Sequence, residues 1–166
     1  MSNRIKLLAV DDEFRCLNTL TRRLSPRDFD VTPASSGRQA LRLARKQDFD
    51  LVLLDLRMPG MSGAEVLDAL KVRYPLTEVV MLVEPDDVDA APIPCAYLAK
   101  PAETTELLRV VKEAYQRRLQ RKLAISEEDL RELTRTSQSE SPLSVLRKLK
   151  ELDVSAVRIP PHPASA

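Results

Sequence analysis

Leu51-Val52-Leu53-Leu54-Asp55-Leu56-Arg57-Met58-Pro59-Gly60 sets four consecutive apolar residues before an acid and a turn. A strand with one wet face would alternate apolar and polar residues. An unbroken apolar run means that both faces are covered, as in the middle of a parallel sheet flanked by helices. Moving outward, the same pattern recurs. Ile5–Val10 is a strand candidate, and Glu13–Leu24 carries Leu17, Leu20 and Leu24 at helical spacing. Phe29–Thr32 reads as a short strand, and Ser36 can cap a helix over Gly37–Gln47. Ser62 begins another helix, with Val66, Leu67 and Leu70 inward and Pro75 just beyond its end. Val79–Val83 is a second fully apolar strand, Ala96–Ala99 a short fifth, and Glu103–Lys122 a long helix.

Strand–helix alternation predicts an α/β fold: a flavodoxin-like, doubly wound, five-stranded parallel sheet in the order 2-1-3-4-5. Such folds gather ligands beyond the carboxyl ends of the strands. At those ends stand Asp11 and Asp12 after strand one, Asp55 after strand three, and Lys100 and Pro101 after strand five. Three carboxylates brought together repel one another unless a cation joins them. A hard divalent ion with oxygen ligands answers this, and Mg²⁺ favours a few carboxylates completed by water and phosphate oxygens. A carboxylate beside such an ion and a lysine can serve as a nucleophile toward a phosphoryl group.

Composition narrows the alternatives. The chain has 166 residues, 43% of them hydrophobic, and a net charge of +1, so no global field points to nucleic acid or membrane. With three glycines, neither a G-x-x-x-x-G-K nor a G-x-G-x-x-G phosphate loop is present. The single histidine, His162, lies in a proline-rich stretch and cannot build a histidine metal site or a Ser-His-Asp triad. Two cysteines, Cys16 and Cys95, are too few for a disulfide framework, and no apolar run approaches the ~20 residues of a membrane span. The expectation is a cytoplasmic protein with reduced thiols, and Cys16 is read as a core residue on a helix face.

The motifs Asp11-Asp12-Glu13, Asp55-Leu56-Arg57-Met58-Pro59-Gly60-Met61-Ser62-Gly63 and Lys100-Pro101, in that order and each behind an expected strand, resemble the receiver domain of bacterial response regulators. The resemblance covers about residues 4–121. It implies that Asp55 is the phosphoacceptor. It implies that Asp11, Asp12, Asp55 and the backbone carbonyl of Arg57 hold Mg²⁺. Lys100 would contact the phosphoryl group, and the Lys100–Pro101 bond would be cis. The implied partner is a sensor histidine kinase or a His-phosphotransfer protein, with an unknown protein downstream and a homodimer possible. The implied role is that of a relay module rather than a metabolic enzyme, although a receiver catalyses its own phosphorylation and dephosphorylation.

Two departures stand out. Receivers place Thr or Ser at the end of strand four, where this chain has Val83 followed by Glu84, and valine donates no hydrogen bond. Tyr97 still occupies the position of the aromatic partner in the usual switch. Between Glu84 and Cys95 three prolines preclude an ordinary fourth helix, which is expected to be absent or reduced to a turn. These departures keep a second reading open, a pseudo-receiver acting as a phosphorylation-independent interaction module. A phosphohydrolase of the haloacid dehalogenase type is disfavoured because Arg57 stands where a second acid belongs.

The expected organisation is a receiver domain over 1–122, a helical extension over 123–153 and a proline-rich, disordered tail over 154–166. Ser126-Glu127-Glu128-Asp129 reads as a new helix start, and Leu143–Leu152 as an amphipathic stretch that can fold back, bind a partner or pair with its copy. Nothing in the extension is large enough for a DNA-binding effector. Arg117, Arg118, Arg121 and Lys122 read first as a solvated helix end, and otherwise as a contact for nucleic acid or an acidic partner.

Overall fold

The computed structural model describes residues 4–91 and 96–136, with side chains through residue 124. Five strands, β1 (Ile5–Val10), β2 (Phe29–Ala34), β3 (Leu51–Asp55), β4 (Glu78–Val83) and β5 (Ala96–Ala99), form one parallel sheet in the order β2-β1-β3-β4-β5. This is the expected flavodoxin-like order. The helices are α1 (Phe14–Leu24), α2 (Gly37–Lys46), α3 (Gly63–Arg73) and α4 (Thr104–Thr136).

Alternation within each strand builds two cores. Leu8, Val10, Val52, Leu54, Met81 and Val83 face the side covered by Ala40 and Ala44 of α2 and by Val66, Leu67 and Leu70 of α3. Leu7, Ala9, Leu51, Leu53, Val80 and Leu82 face the side covered by Leu17, Leu20 and Leu24 of α1 and by Leu107, Val111 and Ala114 of α4. All residues of β3 and β4 are buried, which explains why they read as unbroken apolar runs. Ser36 and Ser62 cap α2 and α3 as expected. Ser62 forms a reciprocal capping box with Glu65, so the start of α3, directly after the β3 loop, is well fixed.

Between β4 and β5 the described residues, through 91, carry no full helix. Pro85–Ala90 forms a short 3₁₀ turn, as the prolines require. Helix ends at Glu13, Gln47 and Glu103 shift by one residue, and three further boundaries differ from the sequence reading. β2 runs through Pro33 to Ala34, because an edge strand tolerates a proline whose missing N–H faces away from its partner. β4 begins one residue early, at Glu78. Ser126 starts no new helix: α4 runs unbroken to Thr136, since no glycine or proline interrupts Thr104–Thr136 and a serine inside a helix costs little. The first compact unit ends within this helix, at Arg118. The expected Leu143–Leu152 stretch and the 154–166 tail lie outside the described residues.

Candidate phosphoryl-acceptor site

The strand ends bring the charged residues together. Asp11 follows β1 and is fully buried, with its Oδ1 accepting from the Glu13 amide at 2.8 Å. Asp55 closes β3 and is 5% exposed. Lys100 follows β5, and its amide donates to the Val83 carbonyl at 2.8 Å, fixing the end of β5 to that of β4. The Lys100 Nζ then lies 2.9 Å from Asp11 Oδ2 and 2.9 Å from Asp55 Oδ1, bridging the two acids. Asp12 is exposed, and one carboxylate oxygen from each of Asp11, Asp12 and Asp55 lies within 4.8 Å of the others. The Lys100–Pro101 peptide is cis.

The electrostatics follow from burial and crowding. Burial raises the Asp55 carboxyl above the ordinary range, the bond and charge of Lys100 oppose this, and Asp11 and Asp12 add to the rise. Burial alone would lower the Lys100 ammonium, but its bonds to Asp55 and Asp11 outweigh that and raise it. One ammonium therefore serves two carboxylates while a third stands at the rim. The surplus of hard oxygen donors around one point suits a small divalent cation.

Val83 and Tyr97 differ in burial. Val83 is fully buried in the core beneath α2 and α3, whereas Tyr97 is 50% exposed on β5. Glu84 is exposed. The Arg57 side chain, two residues after Asp55, forms an ion pair with Asp87 of the 3₁₀ turn.

Other assignments need correction. Cys16 is half-buried rather than a core residue, because it sits on the edge of α1 turned toward the site. Burial and the nearby Asp11 push its thiol up to about 11, and the Glu13 carboxylate accepts from its Sγ at 3.6 Å. It lines a cavity of about 400 Å³ that runs from Asp11 and Lys100 to Leu20, Leu98 and Leu107. Two members of the basic cluster are not merely solvated. Arg118 pairs with Asp50 at 3.1 Å and Arg117 approaches Glu78 at 3.7 Å, because α4 crosses the amino-terminal end of β3 and β4. The Arg57–Asp87 pair was not foreseen from the sequence. No signal marks it, since Asp87 stands between the equally acidic Asp86 and Asp89, both exposed.

Among the described residues no helix is long and apolar enough to cross a membrane. Residues 7–112 match the family described as response regulator receiver domain. The alginate biosynthesis transcriptional regulatory protein AlgB of Pseudomonas putida is 30% identical over 165 residues, 95% of this chain and 37% of that protein. The transcriptional regulatory protein HprR of Escherichia coli is 34% identical over 113 residues, 65% of this chain and 50% of that protein. The chain thus spans half or less of the length of these curated relatives. A receiver domain protein from Clostridium thermocellum superposes with a TM-score of 0.64 at 30% identity, covering 68% of this chain and 95% of that one.

Proposed function

We propose, from the premise that this chain belongs to the response regulator receiver domain family, that it accepts a phosphoryl group on Asp55 in a two-component or phosphorelay pathway. The donor is the phosphohistidine of a sensor kinase or of a His-phosphotransfer protein. The observation that carries the reading is the bridge from Lys100 to both Asp11 and Asp55 at the carboxyl edge of the sheet.

An Asp55 carboxylate oxygen attacks phosphorus. The donor's nitrogen–phosphorus bond breaks, and the leaving imidazole keeps the electron pair and takes up a proton. Burial strips water from the nucleophile, and Lys100 holds it in one orientation. As the phosphoryl group arrives, the ammonium stands ready to contact its oxygens in place of the acid it loses. Asp11, Asp12, Asp55 and the Arg57 carbonyl would hold Mg²⁺. When bound, that ion supplies positive charge to offset the crowded oxygens. Residues 1–122 carry this reaction, in a cytoplasmic setting, and the product is a signalling state rather than a released metabolite.

A second reading, the pseudo-receiver, draws on Val83. Valine offers no hydroxyl there, and Tyr97 is half exposed, which supports a chain that does not couple the site to that surface in the family's usual way. Intact mass after incubation with acetyl phosphate and Mg²⁺ separates the two. A gain of one phosphoryl group that requires both Mg²⁺ and Asp55, and is absent from Asp55→Asn, is the expected result. No gain under conditions that load an ordinary receiver would leave the pseudo-receiver as the function.

A further inference from the structure

Arg57 and Asp87 belong to different loops, 30 residues apart, and are joined side chain to side chain. The two ends of this pair are unlike. The Arg57 side chain is 73% exposed, so water surrounds it, whereas that of Asp87 is 10% exposed. Asp87 is also tied into the 3₁₀ turn by its amide, which donates to the Glu84 carbonyl at 2.9 Å. Val88, next in sequence, packs against the α2–α3 core. Among the described residues the turn is therefore seated by Val88 and Ala91 on the apolar core and by one buried carboxylate, whose cation comes from the loop that carries Arg57. Arg57 stands two residues after Asp55. Val83, the residue from which a hydroxyl would have coupled site and turn, is buried among apolar side chains.

We propose that the Arg57–Asp87 pair is a latch on the 3₁₀ turn, opened by phosphoryl transfer to Asp55. The inference rests on the reading of Asp55 as acceptor. Transfer replaces a carboxylate of charge −1 by an acyl phosphate of roughly −2 with further acceptor oxygens. Guanidinium groups bind phosphoryl oxygens in a forked geometry, and the exposed arm of Arg57 is free to turn. It exchanges Asp87 for the new anion. Asp87 is then a buried carboxylate without its cation, a state that proteins relieve by rearranging. The turn moves outward until Asp87 is hydrated, changing the surface between β4 and β5. Charge thus takes the place of the missing hydroxyl as the link from chemistry to surface. Arg57 acts here as a positioning residue, through Asp87.

Hydrogen exchange of peptides covering residues 84–91 tests this in the full chain, with loading by acetyl phosphate followed by intact mass in the same samples. In the unloaded wild type these amides are protected, and loading speeds their exchange about tenfold or more. Arg57→Ala exchanges at the fast rate before loading and changes little after it, while Arg57→Lys keeps the contrast. The double variant Arg57→Asp with Asp87→Arg restores protection in the unloaded chain but does not respond to loading, since the side chain at 57 no longer seeks an anion. Equal exchange of unloaded wild type and Arg57→Ala overturns the latch. Loading of the wild type without faster exchange overturns its opening by phosphate. If the chain does not load, the acceptor reading fails and phosphate-driven opening fails with it. The unloaded comparison still decides whether the latch exists.

Discussion

Replacing Gly63 with alanine puts a methyl group where main chain already stands. An ideal Cβ at this position would lie 2.2 Å from the Asp55 carbonyl oxygen, 2.8 Å from Leu56 Cα and 3.0 Å from the Asp55 carbonyl carbon. No side chain can swing aside, so the first turn of α3 and the end of β3 must separate by roughly 1 Å to reach ordinary contact. The Gly63 amide donates to the Leu56 carbonyl at 2.9 Å, and that bond stretches as they part. Overpacking of this kind costs about 1–3 kcal/mol, of which alanine's helical advantage over glycine recovers at most about 1 kcal/mol. A net loss near 1–2 kcal/mol is expected in urea unfolding followed by circular dichroism. The functional loss should be larger. Asp55 moves with its own carbonyl, and a displacement of about 1 Å in a reacting group costs on the order of 100-fold in rate. Gly37→Ala is the comparison, because its Cβ would meet side chains rather than main chain, Val66 Cγ2 at 2.5 Å and Met61 Cγ and Sδ at 3.2 Å, so the strain falls on α2 and α3 and not on the Asp55 carbonyl. If Gly63→Ala matches wild type in both midpoint and phosphorylation rate, or if Gly37→Ala loses more phosphorylation than Gly63→Ala, the steric reasoning is wrong.

Three further outcomes follow from the charges. Lys100→Met leaves Asp11 and Asp55 buried together without their cation. A destabilisation of roughly 3 kcal/mol is expected at pH 7 in metal-free buffer. The loss should shrink near pH 4 as a proton replaces the ammonium, and an equal loss at both pH values would count against the bridge. The Asp55 carboxyl, raised chiefly by burial, takes a proton more readily folded than unfolded, so its ionisation weakens the fold as pH rises through its folded value. Metal-free Asp55→Asn should therefore unfold at higher urea than wild type at pH 7, with the gap closing in acid; a gap that widens in acid would contradict this. Asp50 accepts from the Lys6 amide at 2.9 Å and pairs with Arg118 at the opposite end of the strands. Asp50→Ala should cost about 1.5–3 kcal/mol in chemical denaturation while leaving phosphorylation of the folded protein unchanged; a slowed reaction would show that the two ends of the sheet are coupled.

Most of the fold was legible because it rests on patterns carried by neighbouring residues. The apolar runs at Leu51–Leu54 and Val79–Val83 identify strands covered on both sides, and Ser36 and Ser62 declare their caps. The proline spacing after Glu84 predicts the lost helix. The meeting of charges was legible for a topological reason: a parallel sheet brings the residues after its strands to one edge, so Asp11, Asp55 and Lys100 meet although far apart in sequence. What stayed hidden are pairings between loops and helix faces. Nothing local to Arg57 points to Asp87, and nothing in Arg117 and Arg118 names Glu78 and Asp50, because those meetings depend on how α4 and the 3₁₀ turn settle on the sheet. Ser126 misled because a cap signal inside an otherwise strong helix has too little energy to stop it.

The two rims of the sheet bear on how the protein behaves at high concentration. Open strand edges are templates for other chains, and long flat ones invite aggregation. Ile5 N donates to the Asp28 carbonyl and Asp11 N to the Ala34 carbonyl, so Ala34 turns toward β1 and the nitrogen of Pro33 faces the free side. An incoming strand finds a missing donor there. At the other rim β5 has four residues, too short to hold a guest strand in register. Fibre-forming addition is thus discouraged at both sides, and the chain can be crowded without adding strands to its own copies.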